Sequence, residues 1–233
     1  MPEITFIVDA LRGAILVENN QDLNQEAVEH LREHLGEARE IGCARPLEII
    51  MPQPAPAEER ATVVCVLING FYHNSLTEGP GRRSSVLFQS CPLKCKGCWV
   101  THLHSEQSGT PVPVHVLAEK LLDPEFERDG VSVLGGEPFA QPEGLCALVR
   151  ELRSKGCRHI VCYSGYTLEA LREKAAGQTS IGDVLDDIDV LIDGAYVESL
   201  ASSAGLWTGS GNQRVIDLRM SAKRGEIVLY TKG

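Results

Sequence analysis

The sequence predicts an α/β protein, a partial, open parallel (β/α) barrel preceded by a small N-terminal α+β appendage. Beyond about residue 60, short β-rich runs alternate with stretches of helical periodicity, the pattern of parallel strands joined by right-handed crossovers. A closed eight-unit barrel takes about 250 residues, whereas roughly 170 remain after that point, so one side stays open. Ahead of it, Pro46, Pro52, Pro54 and Pro56 deny the chain both helix and central strand, which predicts an extended connector.

The elements follow in order. Residues 1–60 read as a strand over 4–8, a second over 14–17 and a helix from about Leu23, with Leu23, Ala27, Val28, Leu31 and Leu35 on one side. This places a small appendage at 1–60, ending in the proline-rich linker, and the barrel domain at 61–233. Within the domain, strands are expected over 86–89, 131–134, 159–163, 190–192 and 214–218. Leu145, Leu148, Val149 and Leu152 keep helical spacing, and Gly156 is placed to stop that helix. Thr167 is the expected N-cap of the next helix. The closing EIVLYTKG is expected to add an edge strand.

Composition narrows the function classes. Of 233 residues 43% are apolar and 23% charged, enough to bury a core. Twenty-two basic against thirty-two acidic side chains leave a net charge of -10, which argues against nucleic acid and anionic membranes as partners. Residues 1–60 hold twelve acids and five bases, whereas 61–110 hold two acids and four bases. The acidic start MPEITF lacks the basic flank of a signal peptide and no apolar run is long enough to span a bilayer, so a cytoplasmic protein is expected. In that compartment eight cysteines indicate metal, redox chemistry or buried thiols rather than disulfides. Cys43, Cys65, Cys146, Cys157 and Cys162 are widely spaced and read as structural.

The other three stand together. Cys91, Cys95 and Cys98 fall within eight residues directly after a predicted strand. Three thiolates on one loop can hold three corners of a cubane iron-sulfur cluster and leave the fourth iron open. Zinc closed by His102 or His104 is the competing reading of the same residues. Gly135-Gly136-Glu137-Pro138 follows the strand over 131–134, where ligands of open α/β sheets bind and where glycines let a polar ligand approach the backbone. Tyr163-Ser164-Gly165-Tyr166-Thr167 likewise follows a strand and enters a helix N-terminus, a place that favours an anionic group. A parallel sheet would gather all three on one rim.

Together these segments resemble the radical S-adenosylmethionine superfamily, and more narrowly the activating proteins of anaerobic (class III) ribonucleotide reductases. The resemblance runs through GPGRR at 79–83, CPLKCKGCW at 91–99, GVSVLGGEP at 130–138, YSGYTLEAL at 163–171, DVLIDGAYVESL at 189–200 and GSGNQRVIDLR at 209–219. It implies a partial barrel of the radical S-adenosylmethionine type, with Cys91, Cys95 and Cys98 as ligands of a 4Fe-4S cluster. S-adenosylmethionine would chelate the open iron. Gly135, Gly136, Glu137 and Pro138 would hold its amino group, with Ser164 and Gly165 near the methionine or ribose. Arg83 and Asp193 with Gly194 would line the same cavity, and Asn212 and Gln213 match a further family motif. Gly97 precedes the third cysteine and Trp99 follows it, the order the activating proteins tend to show, which puts Trp99 beside the cofactor.

The activity implied is reductive cleavage of S-adenosylmethionine to a 5'-deoxyadenosyl radical that installs a glycyl radical on a partner enzyme. The partners implied are a class III ribonucleotide reductase-like glycyl-radical protein and a flavodoxin or ferredoxin donor, the latter docked by Arg82, Arg83, Lys94 and Lys96. One alternative is a radical enzyme that modifies a peptide or small molecule, with residues 1–60 as the recognition element. An electron carrier would use the same cysteines but has no need of the two glycine turns.

Overall fold

In the computed structural model the chain divides into two compact units, residues 1–61 and 62–233. The structure describes residues 63–231 and, in the first unit, the backbone of two strands. These are β1 (Thr5–Asp9) and β2 (Ala14–Glu18), an antiparallel pair in which Phe6 stands opposite Val17 and Val8 opposite Ile15. The helix expected from Leu23 and the proline-rich connector lie outside the described residues.

The second unit is built on a seven-stranded sheet. Its strands are β3 (Cys65–Ser75), β4 (Arg83–Phe88), β5 (Thr110–Pro113), β6 (Gly130–Gly135), β7 (Ile160–Tyr163), β8 (Val190–Asp193) and β9 (Arg214–Asp217). The spatial order is β5-β3-β4-β6-β7-β8-β9. The four central strands β4, β6, β7 and β8 run parallel, and β3, β5 and β9 pair antiparallel with their neighbours. The sheet therefore ends in two edges and does not close into a barrel. Pro111 and Pro113 fit an edge, where a strand need not donate on its outer side.

Helices α1 (Val114–Leu121), α2 (Pro142–Ser154), α3 (Leu168–Ala175) and α4 (Thr179–Asp187) supply the connections between the parallel strands, and α5 (Leu218–Arg224) follows β9. In α2 the predicted stripe of Leu145, Leu148, Val149 and Leu152 is fully buried. Gly156, just past the end of α2, takes a left-handed φ of 89°. Thr167 caps α3 by accepting a hydrogen bond from Ala170 N at 3.3 Å.

Side chains alternate across the sheet, as a period of two demands. On β7 and β8, Ile160, Cys162 and Leu191 enter the main core with the helices, while Val161, Val190 and Ile192 form a second cluster against Trp207 and Tyr230. The strand at 214–218 is present as β9, but it runs antiparallel to β8. The segment between them holds only a 3-10 turn over Glu198–Ser203 and no crossover helix, so the chain folds back on the same edge. Of the closing EIVLYTKG, Leu229 makes an isolated bridge to Ile216.

Candidate functional site

The cysteine loop leaves the carboxyl end of β4. There Gln89, fully buried, donates from Nε2 to the carbonyls of His102 and Ser105 at 3.0 and 2.9 Å and to Ser108 Oγ at 3.0 Å. One side chain thus ties the end of the loop to its beginning. The loop turns sharply, with left-handed φ at Ser90 (79°), Lys94 (45°) and Gly97 (74°). Cys98 N closes a turn onto Cys95 O at 3.2 Å. Cys91 is buried, Cys95 and Cys98 are half-buried, and all three are free thiols. Burial pushes the Cys91 thiol up, so a metal bound there displaces a proton.

The turn after β6 lies directly against that loop. Gly136 N donates to Phe88 O and Glu137 N to Ser90 O, each at 2.8 Å. A Cβ on Gly136 would stand 2.2 Å from Ser90 O; on Gly135, whose φ is 114°, it would stand 2.6 Å from Phe88 N. The glycine pair therefore serves a close backbone-to-backbone approach, and the Gly136 N–H is consumed within the protein rather than offered to a ligand.

Glu137 is fully buried, and its carboxylate joins this turn to the next. Oε1 accepts from Phe139 N and from Ser164 Oγ, both at 3.0 Å, and Oε2 accepts from Gly165 N at 2.8 Å. Burial, the dominant influence, pushes its carboxyl up to about 7 despite these three donors. Asp193 repeats the device one strand along. Its Oδ2 accepts from Leu168 N at 2.7 Å and its Oδ1 from Arg214 Nε at 2.9 Å, fixing the end of β8 to α3 and β9. Gln213 accepts from Gly209 N and donates to Gly194 O, both at 2.7 Å, while Asn212 Nδ2 donates to Ala195 O at 2.8 Å. The GSGNQR segment is thereby clamped onto the turn after β8.

Together these turns enclose a cavity of about 240 Å³ at the carboxyl ends of the parallel strands. Cys91, Cys95 and Cys98 line one wall, and Gly135, Gly136, Ser164, Gly165 and Gly194 line the others. Trp99 stands at the mouth, 77% exposed, its ring tilted against Tyr196 with centroids 5.8 Å apart. Of the predicted residues, Glu137, Pro138 and Asp193 are buried behind this surface, outside the lining. The two acids hold the turns through these hydrogen bonds.

Arg83 corrects the sequence reading. It opens β4, opposite Gly130 at the start of β6, and so sits at the amino end of the sheet, away from the cavity. Its guanidinium is buried and donates to Ser132 Oγ, Pro80 O, Val131 O and His159 O. The N-terminus of α3 is a second correction, since Asp193 and Thr167 take up Leu168 N and Ala170 N. Tyr196 and Leu93 line the cavity although the sequence singled out neither. The only signal for Tyr196 was its place inside DVLIDGAYVESL.

The donor set is three free thiols on one loop. Among the described residues no three His, Cys, Asp or Glu side chains converge to share a single metal ion. Soft thiolates on one loop fit three corners of a four-iron cluster.

Residues 77–216 match the family described as a 4Fe-4S single cluster domain. The chain is 31% identical over 157 residues to the anaerobic ribonucleoside-triphosphate reductase-activating protein of Escherichia coli (strain K12), covering 64% of this chain and 97% of that protein. The chain belongs to that activating-protein family. The Salmonella typhimurium activating protein matches over the same share of both chains, again at 31% identity. The pyruvate formate-lyase-activating enzyme of Clostridium pasteurianum is 34% identical over 95 residues, 39% of this chain and 40% of that enzyme. A solved structure, QueE from Escherichia coli, superposes with a TM-score of 0.40 at 18% identity, over 44% of this chain and 53% of that one. Activating proteins of this family are iron-sulfur enzymes that use S-adenosylmethionine, and the matched span includes the whole cavity lining. No helix among the described residues is long and apolar enough to cross a membrane.

Proposed function

We propose that this activating-protein homologue installs a glycyl radical on an anaerobic ribonucleotide reductase-like partner, using Cys91, Cys95 and Cys98 as the ligands of its 4Fe-4S cluster. The observation that carries the reading is one cavity lined at once by the three thiols and by the turns after β6, β7 and β8. When bound, the cluster and S-adenosylmethionine supply one-electron cleavage of the sulfonium and removal of a hydrogen atom from a glycine.

The chain's own residues provide the rest. The cysteine loop, pinned by Gln89, presents the thiols on one wall. The turns at Gly135, Ser164 and Gly194 form the opposite walls and are fixed by Glu137, Asp193 and Gln213, which pre-organises them. Ser164, Gly165, Gly136 and Trp99 are the surfaces for S-adenosylmethionine. The open sheet leaves the mouth accessible, which a loop of a large protein substrate requires. A flavodoxin or ferredoxin supplies the electron, docking near Lys94 and Lys96. Residues 61–233 carry this chemistry, and 1–60 form a separate appendage.

Anaerobic reconstitution with iron and sulfide, then reduction with S-adenosylmethionine and a class III reductase, tests the reading. Methionine, 5'-deoxyadenosine and a protein-based glycyl EPR doublet are expected, and replacing any one of the three cysteines by alanine abolishes all three. Cleavage products without a protein radical would select a peptide or small-molecule substrate. Zinc without iron or sulfide would end the reading.

A further inference from the structure

We propose that the loop over 205–209 is a latch: Trp207 seals the helix-free face of β7 and β8 while the chain is alone, and withdraws when the glycine-bearing loop of the partner enters the adjoining cavity. The proposal rests on the reading of the chain as an activating protein for a glycyl-radical partner.

Past the 3-10 turn over Glu198–Ser203, the connection from β8 to β9 closes a small loop on itself. Gly205 N donates to Thr208 Oγ1 at 2.8 Å, and Thr208 N and Oγ1 donate to Gly205 O at 3.3 and 3.2 Å. Among the described residues the hydrogen bonds of positions 205–208 stay within the loop, so the Trp207 ring is its hold on the sheet. That ring packs against Val161, Val190 and Ile192 and meets Tyr230 edge-on, with centroids 5.7 Å apart. Leu206 beside it is left exposed.

The decisive observation is the backbone of Trp207, which holds a left-handed φ of 64°. For a bulky side chain that conformation is an outlier. Among the described residues the other non-glycine positions with positive φ are Asn74, Ser90 and Lys94, and Trp207 is the one aromatic. Such strain persists only where the surroundings over-determine it, and it collects at switch regions. Here the surroundings are a cluster of three buried side chains, far smaller than the main core. The closed loop is thus held by a small apolar contact against a backbone that resists it. The seal also adjoins the site. Tyr163 belongs both to this cluster and to the lining of the cysteine cavity, and Gly209, at the end of the loop, is a further lining residue. Gly209 N donates to Gln213 Oε1 at 2.7 Å, which roots the loop there. Withdrawal of Trp207 bares a valine and isoleucine strip that continues from the cavity, a surface for the loop of a protein substrate.

The test uses the reconstituted full-length chain and a class III reductase, with the rate of glycyl-radical formation read against reductase concentration. Trp207→Gly relieves the φ and removes the seal. It should lower the half-saturating reductase concentration about fivefold, the gain expected if the open form is about a fifth of the free chain. Trp207→Phe keeps a ring over the same valines and should stay close to wild type. An unchanged or raised value in Trp207→Gly, or an equal fall in both variants, overturns the proposal. Trp99 and Trp207 are the chain's two tryptophans, so 5-fluorotryptophan labelling of the wild-type holoprotein gives two ¹⁹F signals, assigned with Trp99→Phe. A peptide carrying the partner's glycine loop, added until it blocks radical formation on the reductase, should shift the Trp207 signal and give it the H₂O/D₂O isotope effect of a solvated ring, whatever the folding of the variants. A Trp207 signal that stays in place under that blockade overturns the proposal, as does a peptide that never blocks. A wild-type chain that makes no glycyl radical on the reductase removes the activating-protein reading itself, which separates the two failures.

Discussion

The two ends of the parallel strands are built on opposite principles. At the carboxyl end the chain leaves β4, β6, β7 and β8 through turns that spread around a cavity and are tied by the buried carboxylates of Glu137 and Asp193. At the amino end a single buried guanidinium, Arg83, gathers the carbonyls of Pro80, Val131 and His159 and closes the sheet. Both ends bury a charged group, but the carboxylates hold open a hollow whereas the guanidinium fills one. Two glycine-proline motifs that look alike in sequence, GPGRR and GGEP, therefore serve a plug and a cradle.

The largest expected effect lies at the plug. Burial pulls the Arg83 guanidinium down to about 10, so it remains charged at neutral pH, yet no carboxylate is among its hydrogen-bond partners. Arg83→Met strands several buried carbonyls and should destabilise the second unit by about 3–5 kcal/mol, read by urea unfolding. The folded fraction should still bind four irons, because the cavity lies at the other end. Loss of iron binding in folded protein would show that the two ends are coupled.

At the cradle the expected signature is in pH. The folded-state value of Glu137 lies near 7, above its ordinary 4.5. The unfolded chain therefore ionises first, and stability is lost as pH rises from about 4.5, with the loss complete near 7. A shift of that size amounts to about 3 kcal/mol. Denaturation of the iron-free chain between pH 4 and 8 should show this fall, and Glu137→Gln should flatten it. A stability rising over the same interval would mean that the three donors outweigh burial.

Glycine substitutions compare the regions again. Gly136→Ala would press a methyl against Ser90 O and should cost about 2–3 kcal/mol together with cluster assembly. Gly156→Ala has open space around it and only an unfavourable φ of 89°, so about 1 kcal/mol is expected, with cluster content unchanged. Iron assay of both variants checks the contrast.

This division also explains what the sequence made legible. β6, β7 and β8 were readable because each is a short apolar run leading into a glycine turn, and β4 because its apolar half runs into the cysteine motif, whose spacing marked the cavity directly. β3 was not, since CVLINGFYHNS mixes polar residues into an edge-side strand whose register shifts twice against β4. β5 was hidden by two prolines that only an edge tolerates. The direction of β9 depends on a connection that lacks a crossover helix, a tertiary fact with no local signal. Among the site residues, motif membership located Arg83, Glu137 and Asp193 but could not say whether each faces the ligand. That depends on which hydrogen-bond partners reach it from residues about 25 to 75 positions away.

The smallest effect separates helix capping from ligand binding. Thr167 satisfies Ala170 N, while Asp193 independently holds Leu168 N. Thr167→Ala should therefore remove about 1 kcal/mol, a fall in melting temperature of about 2–4 °C for a unit of this size. The neighbouring Ser164 and Gly165 are fixed by Glu137 rather than by the helix, so the affinity of the reconstituted enzyme for S-adenosylmethionine should not change. A weakened affinity, measured by isothermal titration, would place the start of α3 among the ligand's contacts. Asp193 would then serve the ligand's surface as well as the fold, whereas Arg83 at the amino end serves the fold.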